Sequence, residues 1–167
     1  MRIYSRLDNH FKTAQNETSD ALLIALNNPE IKKGLSQAIE ELVYSHYDSF
    51  TEAQKESPKV YTPRREDGGL SDPNNMFATS YRDSEDLITG ILRTYAGVNT
   101  DYPGNKPDVN YSIDQIVVTG DGYTWKGSKF AKETIPRDFY AYALATGLIT
   151  EPQLKELISK ELKKKGW

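Results

Sequence analysis

A chain of 167 residues, 37% hydrophobic and 27% charged, carries enough apolar material for one modest core. Its net charge of −3 excludes the broad basic surface that a phosphate-neutralising nucleic-acid binder needs. The absence of cysteine excludes disulfides, thiolate nucleophiles and thiolate metal sites, and no apolar run is long enough to cross a bilayer or to serve as a signal core behind Met1.

In chain order, residues 1–17 are polar and weakly patterned, which predicts an N-terminal arm. Thr18, Ser19 and Asp20 are N-cap types ahead of a short apolar helix, Ala21 to Leu26, that Asn27-Asn28 ends. Asn28-Pro29-Glu30 is a second helix start: a capping residue, a proline suited to the first turn and an acid at the positive end of the macrodipole. Leu35, Ile39, Leu42, Val43, His46 and Phe50 then fall on one helical face, so the longest helix is expected over 29–52. Closely spaced turn dipeptides over 55–75 predict a long loop.

Residues 76–82 and 86–96 are predicted as strands, joined through Arg82-Asp83-Ser84-Glu85. Both faces of the second are apolar, as in a central strand. A second long loop spans 97–111. Ser112 with Gln115 forms a capping-box pattern that favours a short helix over 113–118, against the strand that its β-branched residues suggest. Gly120-Asp121-Gly122 must turn. Phe139, Tyr142, Ala143 and Leu144 form a helical face after Pro136, with Gly147 as the residue beyond the helix end. Thr150-Glu151-Pro152 starts a last helix carrying Leu154, Leu157, Ile158 and Leu162 and ending in Lys163-Lys164-Lys165. The expected fold is α+β: one domain over 1–167, a small antiparallel sheet flanked by a long helix from the N-terminal half and by C-terminal helices, with long interaction loops.

Catalytic patterns are missing. The two histidines, His10 and His46, have no metal-ligand spacing, and no nucleophile elbow, phosphate loop or calcium loop occurs. Asp67 and Asp72 flank Gly68-Gly69 without calcium-loop spacing, and Glu40-Glu41 suits a solvated helix face. No catalytic residue, cofactor or metal site is expected. Aromatic residues and arginines do cluster in the loops: Tyr61, Arg64 and Arg65 beside Gly68-Gly69, then Trp125, then Arg137, Phe139 and Tyr140. These are interface residue types. Trp125 and Phe139 suit equally a role capping the core beneath a loop.

On these residues the chain resembles the neck or tail-completion proteins of tailed phages. Tyr61-Thr-Pro-Arg-Arg-Glu-Asp-Gly-Gly-Leu-Ser-Asp-Pro-Asn-Asn75 is similar to their "Y-x-R-R-x-x-x-G-G-L-x-D-P-x-N" stretch, and Ile116-Val-Val-Thr-Gly-Asp-Gly-Tyr-Thr-Trp125 to "I-V-x-x-G-x-G-Y-x-W". Pro136-Arg137-Asp138-Phe139 is similar to "P-R-P-F", with Asp138 in place of the second proline. The resemblance spans roughly residues 35–165. It implies an α+β virion protein at the head–tail junction, assembled in the host cytoplasm and forming a ring, often hexameric. It further implies contacts with head-completion or connector proteins on one side and tail terminator or tail tube proteins on the other, and no membrane. DNA would pass through without sequence recognition, and an acidic balance suits such a passage. Tyr61, Arg64, Arg65, Gly68, Gly69, Trp125, Arg137, Phe139 and Tyr140 are the candidate loop contacts or loop architecture. Two other readings stand beside this one: a tail terminator or adaptor of the same particle, and a small phage enzyme acting on nucleic acid, which needs a convergent acid or histidine cluster.

Overall fold

The computed structural model describes residues 2–45, 69–82, 87–94, 113–120 and 136–167, with side chains of the first helix described from Phe11 onward. In chain order the elements are α1 (Arg2–Leu26), α2 (Pro29–Ile39) running into a π-helical turn (Glu40–Tyr44), a 3-10 turn (Pro73–Asn75), β1 (Met76–Arg82), β2 (Ile88–Thr94), α3 (Ile113–Thr119), α4 (Phe139–Ala145) and α5 (Glu151–Lys164). The fold is α+β: among the described residues, a two-stranded antiparallel sheet with five helices.

The expected arm over 1–17 is instead helical from Arg2, continuous with the apolar stretch Ala21 to Leu26. The three residues expected to cap a new helix are engaged elsewhere. Thr18 Oγ1 donates to the Ala14 carbonyl at 2.8 Å, one turn back. Ser19 and Ser80 share a hydroxyl–hydroxyl bond of 2.6 Å, and Asp20 receives Lys165 Nζ at 3.1 Å. With no side chain free to cap at that point, the helix runs through.

The second helix starts as expected: Asn28 Oδ1 accepts the Glu30 N–H at 2.9 Å and Pro29 takes the first turn. Its buried face is Ile31, Gly34, Leu35, Ala38 and Ile39. At Glu40 the helix loosens into one π turn, in which the Ser45 N–H reaches the Glu40 carbonyl. The extra residue per turn brings Val43 and Tyr44 together into the core. The remainder of the expected 29–52 helix, with His46, lies outside the described residues.

The strands form where alternation placed them, with Met76 opposite Thr94 and Arg82 opposite Ile88. The expectation of a central second strand is corrected: among the described residues β2 pairs with β1 alone. Its apolar residues on two faces meet different surroundings. The inner face lies on α1, so closely that a Cβ on Gly90 would stand 2.7 Å from Leu22 Cδ2 and Leu26 Cδ1. The outer face carries the exposed Ile91, and Leu87 just before the strand is exposed as well. The connection at 83–85 and the 97–111 loop lie outside the described residues.

Residues 113–119 are helical, the preferred of the two readings. Gly147 follows α4 with φ +75°, the left-handed geometry expected of that position. Leu144, expected on the packed face of α4, is exposed; Phe139 and Ala143 are the buried positions, four residues apart. Thr150 Oγ1 caps α5 through the Gln153 N–H at 3.3 Å, and Lys163 and Lys164 sit in its last turn as expected. The core joins Ile31, Leu35, Ala38, Ile39, Val43 and Tyr44 to Leu70, Met76, Val117, Phe139, Ala143 and Ile149. α2 packs on α4, while α1 packs on α5 and on the hairpin.

Candidate functional site

The described end of the first motif, Gly69 to Asn75, is not a free loop. It is a buried clasp in which most polar groups are matched. The Gly69 carbonyl accepts the Asp72 N–H at 3.3 Å and Asn75 Nδ2 at 3.1 Å. The Leu70 N–H donates to the Tyr44 hydroxyl at 3.1 Å, and the Leu70 carbonyl accepts Thr94 Oγ1 at 2.7 Å. Ser36 Oγ holds the Ser71 carbonyl at 2.7 Å, while Ser71 Oγ donates to Glu40 Oε1 at 2.7 Å. Asp72 Oδ1 caps the 3-10 turn through the Asn74 N–H at 2.8 Å, with Pro73 in its first position. Each motif residue has a local reason: Asp accepts, Pro fixes φ and gives up an N–H that needs no partner, and Asn reaches back. The π turn matters here, because it sets Glu40 and Tyr44 where both meet the clasp.

Thr94 couples this clasp to a second network. Its backbone N–H donates to the Tyr140 hydroxyl at 3.2 Å, and that hydroxyl donates to Asp114 Oδ2, also at 3.2 Å. Arg93 approaches the same carboxylate with Nε at 3.2 Å from Oδ2 and Nη2 at 3.4 Å from Oδ1. Asp114 is buried on α3, so its charge is held by a guanidinium fork and a phenol rather than by water. Burial pushes the Tyr140 phenol well above its ordinary range, and the Asp114 charge adds to the effect. The exposed Tyr142 phenol is raised too, by its hydrogen bond to Glu41 Oε2 at 3.0 Å.

The candidate residues divide accordingly. Tyr61, Arg64, Arg65, Gly68 and Trp125 lie outside the described residues. Gly69 is in the clasp. Phe139 is fully buried in the core, with its ring tilted against that of Tyr140 and the centroids 4.4 Å apart. Arg137 is buried; its backbone N–H bonds the Val117 carbonyl at 3.0 Å and ties the chain before α4 to α3. The described candidates are therefore architecture of the fold. Asp138, which replaces the second proline of the resembling pattern, caps α4 by accepting the Ala141 N–H at 2.9 Å. Thr94, Asp114, Tyr44, Ser36 and Glu40 escaped the sequence reading as members of this site. The signal available was faint: polar residues at strand or helix positions whose neighbours are apolar.

Chemically the arrangement holds parts in register. Among the described residues, no group of three or more histidine, aspartate or glutamate side chains is placed to hold a metal ion, and no helix is long and apolar enough to cross a membrane. No curated protein and no solved structure matches the chain. The YomN family model matches residues 6–164, from the first helix through the clasp and the Asp114 network to the end of α5. The chain thus belongs to the YomN family, whose name is phage-derived.

Proposed function

We propose that this chain is a structural virion protein of a phage or phage-like particle, acting at the head–tail junction as a subunit of a ring that joins head to tail. The observation that carries the reading is the use made of the Gly69–Asn75 motif. Its residues are committed to anchoring one end of the 55–75 segment against α2, the π turn and β2, at distances of 2.7 to 3.1 Å, and not to assembling a nucleophile, base and orienter. A segment anchored in this way suits the presentation of contacts, and Tyr61, Arg64 and Arg65 precede the anchor in the chain. A ring subunit needs two unlike patches, because head-to-tail contacts close only by rotation. Each stable contact buries roughly 800 Å² per partner.

The test is genetic and visual. Particles made without the protein should accumulate as DNA-filled heads and separate tails, and added wild-type protein should decorate one of the two junction faces. An Arg64→Ala, Arg65→Ala double variant should fold normally and fail to join them. Normal particle yield from the deletion would overturn the reading. A metal-dependent nuclease activity lost with a single carboxylate substitution would replace it with the enzyme reading.

A further inference from the structure

We infer that α3 is a seating helix: it docks and releases as one unit with the anchors at Thr94 and Leu70, below the level of global unfolding. The inference does not rest on the head–tail reading.

Ile113–Thr119 is a helix of 7 residues. Isolated helices below about 12–15 residues are marginal in water, so α3 is helical only while docked, and its docking and its folding are one event. Val117 and Asp114 form the seat. Val117 is buried in the core, and the buried Asp114 carboxylate lies against Arg93 and the Tyr140 phenol. The polar half of the seat adds little net stability, because on release the carboxylate regains the water that burial took from it. Chain connectivity resists release only weakly. Release makes the chain from Thr94 to Arg137 a single connection, and the entropy of closing a loop grows only with the logarithm of its length.

A relay of hydrogen bonds transmits the release. Asp114 Oδ2 accepts from the Tyr140 hydroxyl at 3.2 Å, and that hydroxyl accepts the Thr94 N–H at 3.2 Å. Thr94 Oγ1 donates to the Leu70 carbonyl at 2.7 Å, and the Leu70 N–H donates to the Tyr44 hydroxyl at 3.1 Å. Tyr140, Thr94 and Leu70 thus each carry two consecutive links, and bonds in such a chain polarise and strengthen one another. Beyond α3, the Arg137 N–H is bonded to the Val117 carbonyl at 3.0 Å and loses its acceptor when the helix leaves. Along the sequence the relay residues bracket three stretches: Tyr44 and Leu70 enclose 46–68, Thr94 and Asp114 enclose 95–112, and Val117 and Arg137 enclose 121–135. Whatever binds only the seated form is therefore felt at the ends of all three.

Native-state hydrogen exchange on the full chain tests this, read by NMR at the Leu70, Thr94 and Arg137 amides, with the Leu35 and Ala38 amides inside α2 as reference. In low urea the first three should share one opening free energy and one denaturant slope, both below those of α2. Asp114→Asn keeps the size of the side chain and removes its charge. It should speed exchange at all three amides by a common factor of roughly ten, Leu70 included, although Leu70 makes no bond to Asp114. Tyr44→Phe, at the far end of the relay, should likewise speed Thr94 and Arg137. If Asp114→Asn does not fold, the wild-type urea dependence decides the matter. Unrelated slopes for the three amides overturn the inference, as does a Leu70 rate indifferent to Asp114→Asn. So does exchange of all three only together with α2, in global unfolding. None of these results bears on whether the protein sits at the neck.

Discussion

The Tyr140 hydroxyl stands 3.2 Å from Asp114 Oδ2 and 3.2 Å from the Thr94 backbone nitrogen, so one phenol joins the fourth helix, the third helix and the end of the second strand. Tyr140→Phe removes the donor to a buried carboxylate and the acceptor for a buried N–H while preserving the ring against Phe139. The expected loss is about 1–3 kcal/mol in urea unfolding, with little change in secondary structure.

The same phenol sets an alkaline limit. Its folded-state pKa lies above the unfolded value, so its contribution is complete below about pH 10, where both states are protonated. As pH rises through that value the unfolded chain loses the proton and the native chain keeps it, so stability falls until the native pKa is reached. Wild type should therefore lose stability above about pH 10 more steeply than Tyr140→Phe. Equal slopes for the two proteins in that range would contradict the assignment.

Thr94→Val should leave the Leu70 carbonyl buried without its 2.7 Å partner, at a cost of about 1–3 kcal/mol. Tyr44→Phe removes the acceptor of the neighbouring Leu70 N–H. Because both substitutions loosen the same clasp, their combined effect should differ from the sum by about 0.5 kcal/mol or more, measured as a double-mutant cycle.

Gly34 marks a close approach between helix and chain. A Cβ there would stand 2.4 Å from the Leu148 carbonyl oxygen, a backbone atom that cannot rotate away. Gly34→Ala should destabilise by about 1–3 kcal/mol or more. Gly147→Ala meets no such obstacle and should cost about 1–2 kcal/mol, from its positive φ alone. Thermal melts that rank the two in the opposite order would count against this packing.

Asp138→Ala should cost about 1 kcal/mol through loss of the cap on α4, and Asp138→Asn should restore most of it. A proline at this position, as in the resembling phage pattern, matches the observed φ of −76° but supplies no cap, so Asp138→Pro should be no better than alanine.

Much of the architecture was legible where a local rule decides the outcome. Asn28, Thr150 and Gly147 marked helix ends because capping and left-handed geometry are properties of one or two residues. The hairpin was legible from alternation. The helical run of α1 was not, since the cap types at 18–20 are spoken for by residues as distant as Ser80 and Lys165. The candidate site was legible only at its motif residues. Asp114 and Thr94 become a site only when three elements converge, and local spacing carries no record of that convergence. Phe139 and Arg137 carried interface-type chemistry, yet burial assigns them to the core.

The π turn at Glu40–Tyr44 bears on how the chain tolerates changes in length. A helix with one surplus residue holds a rotational offset of about 100° between the stretches on either side of it. The π turn absorbs that offset, so deleting one of residues 41–43 should restore ordinary winding and leave Glu40 facing Ser71 and Tyr44 facing Leu70, whereas one residue more or fewer within α2 should turn Tyr44 away from Leu70. Length variation should therefore be best tolerated in this short stretch and poorly tolerated in the regular helix before it, whose buried face is fixed by Ile31, Leu35 and Ile39.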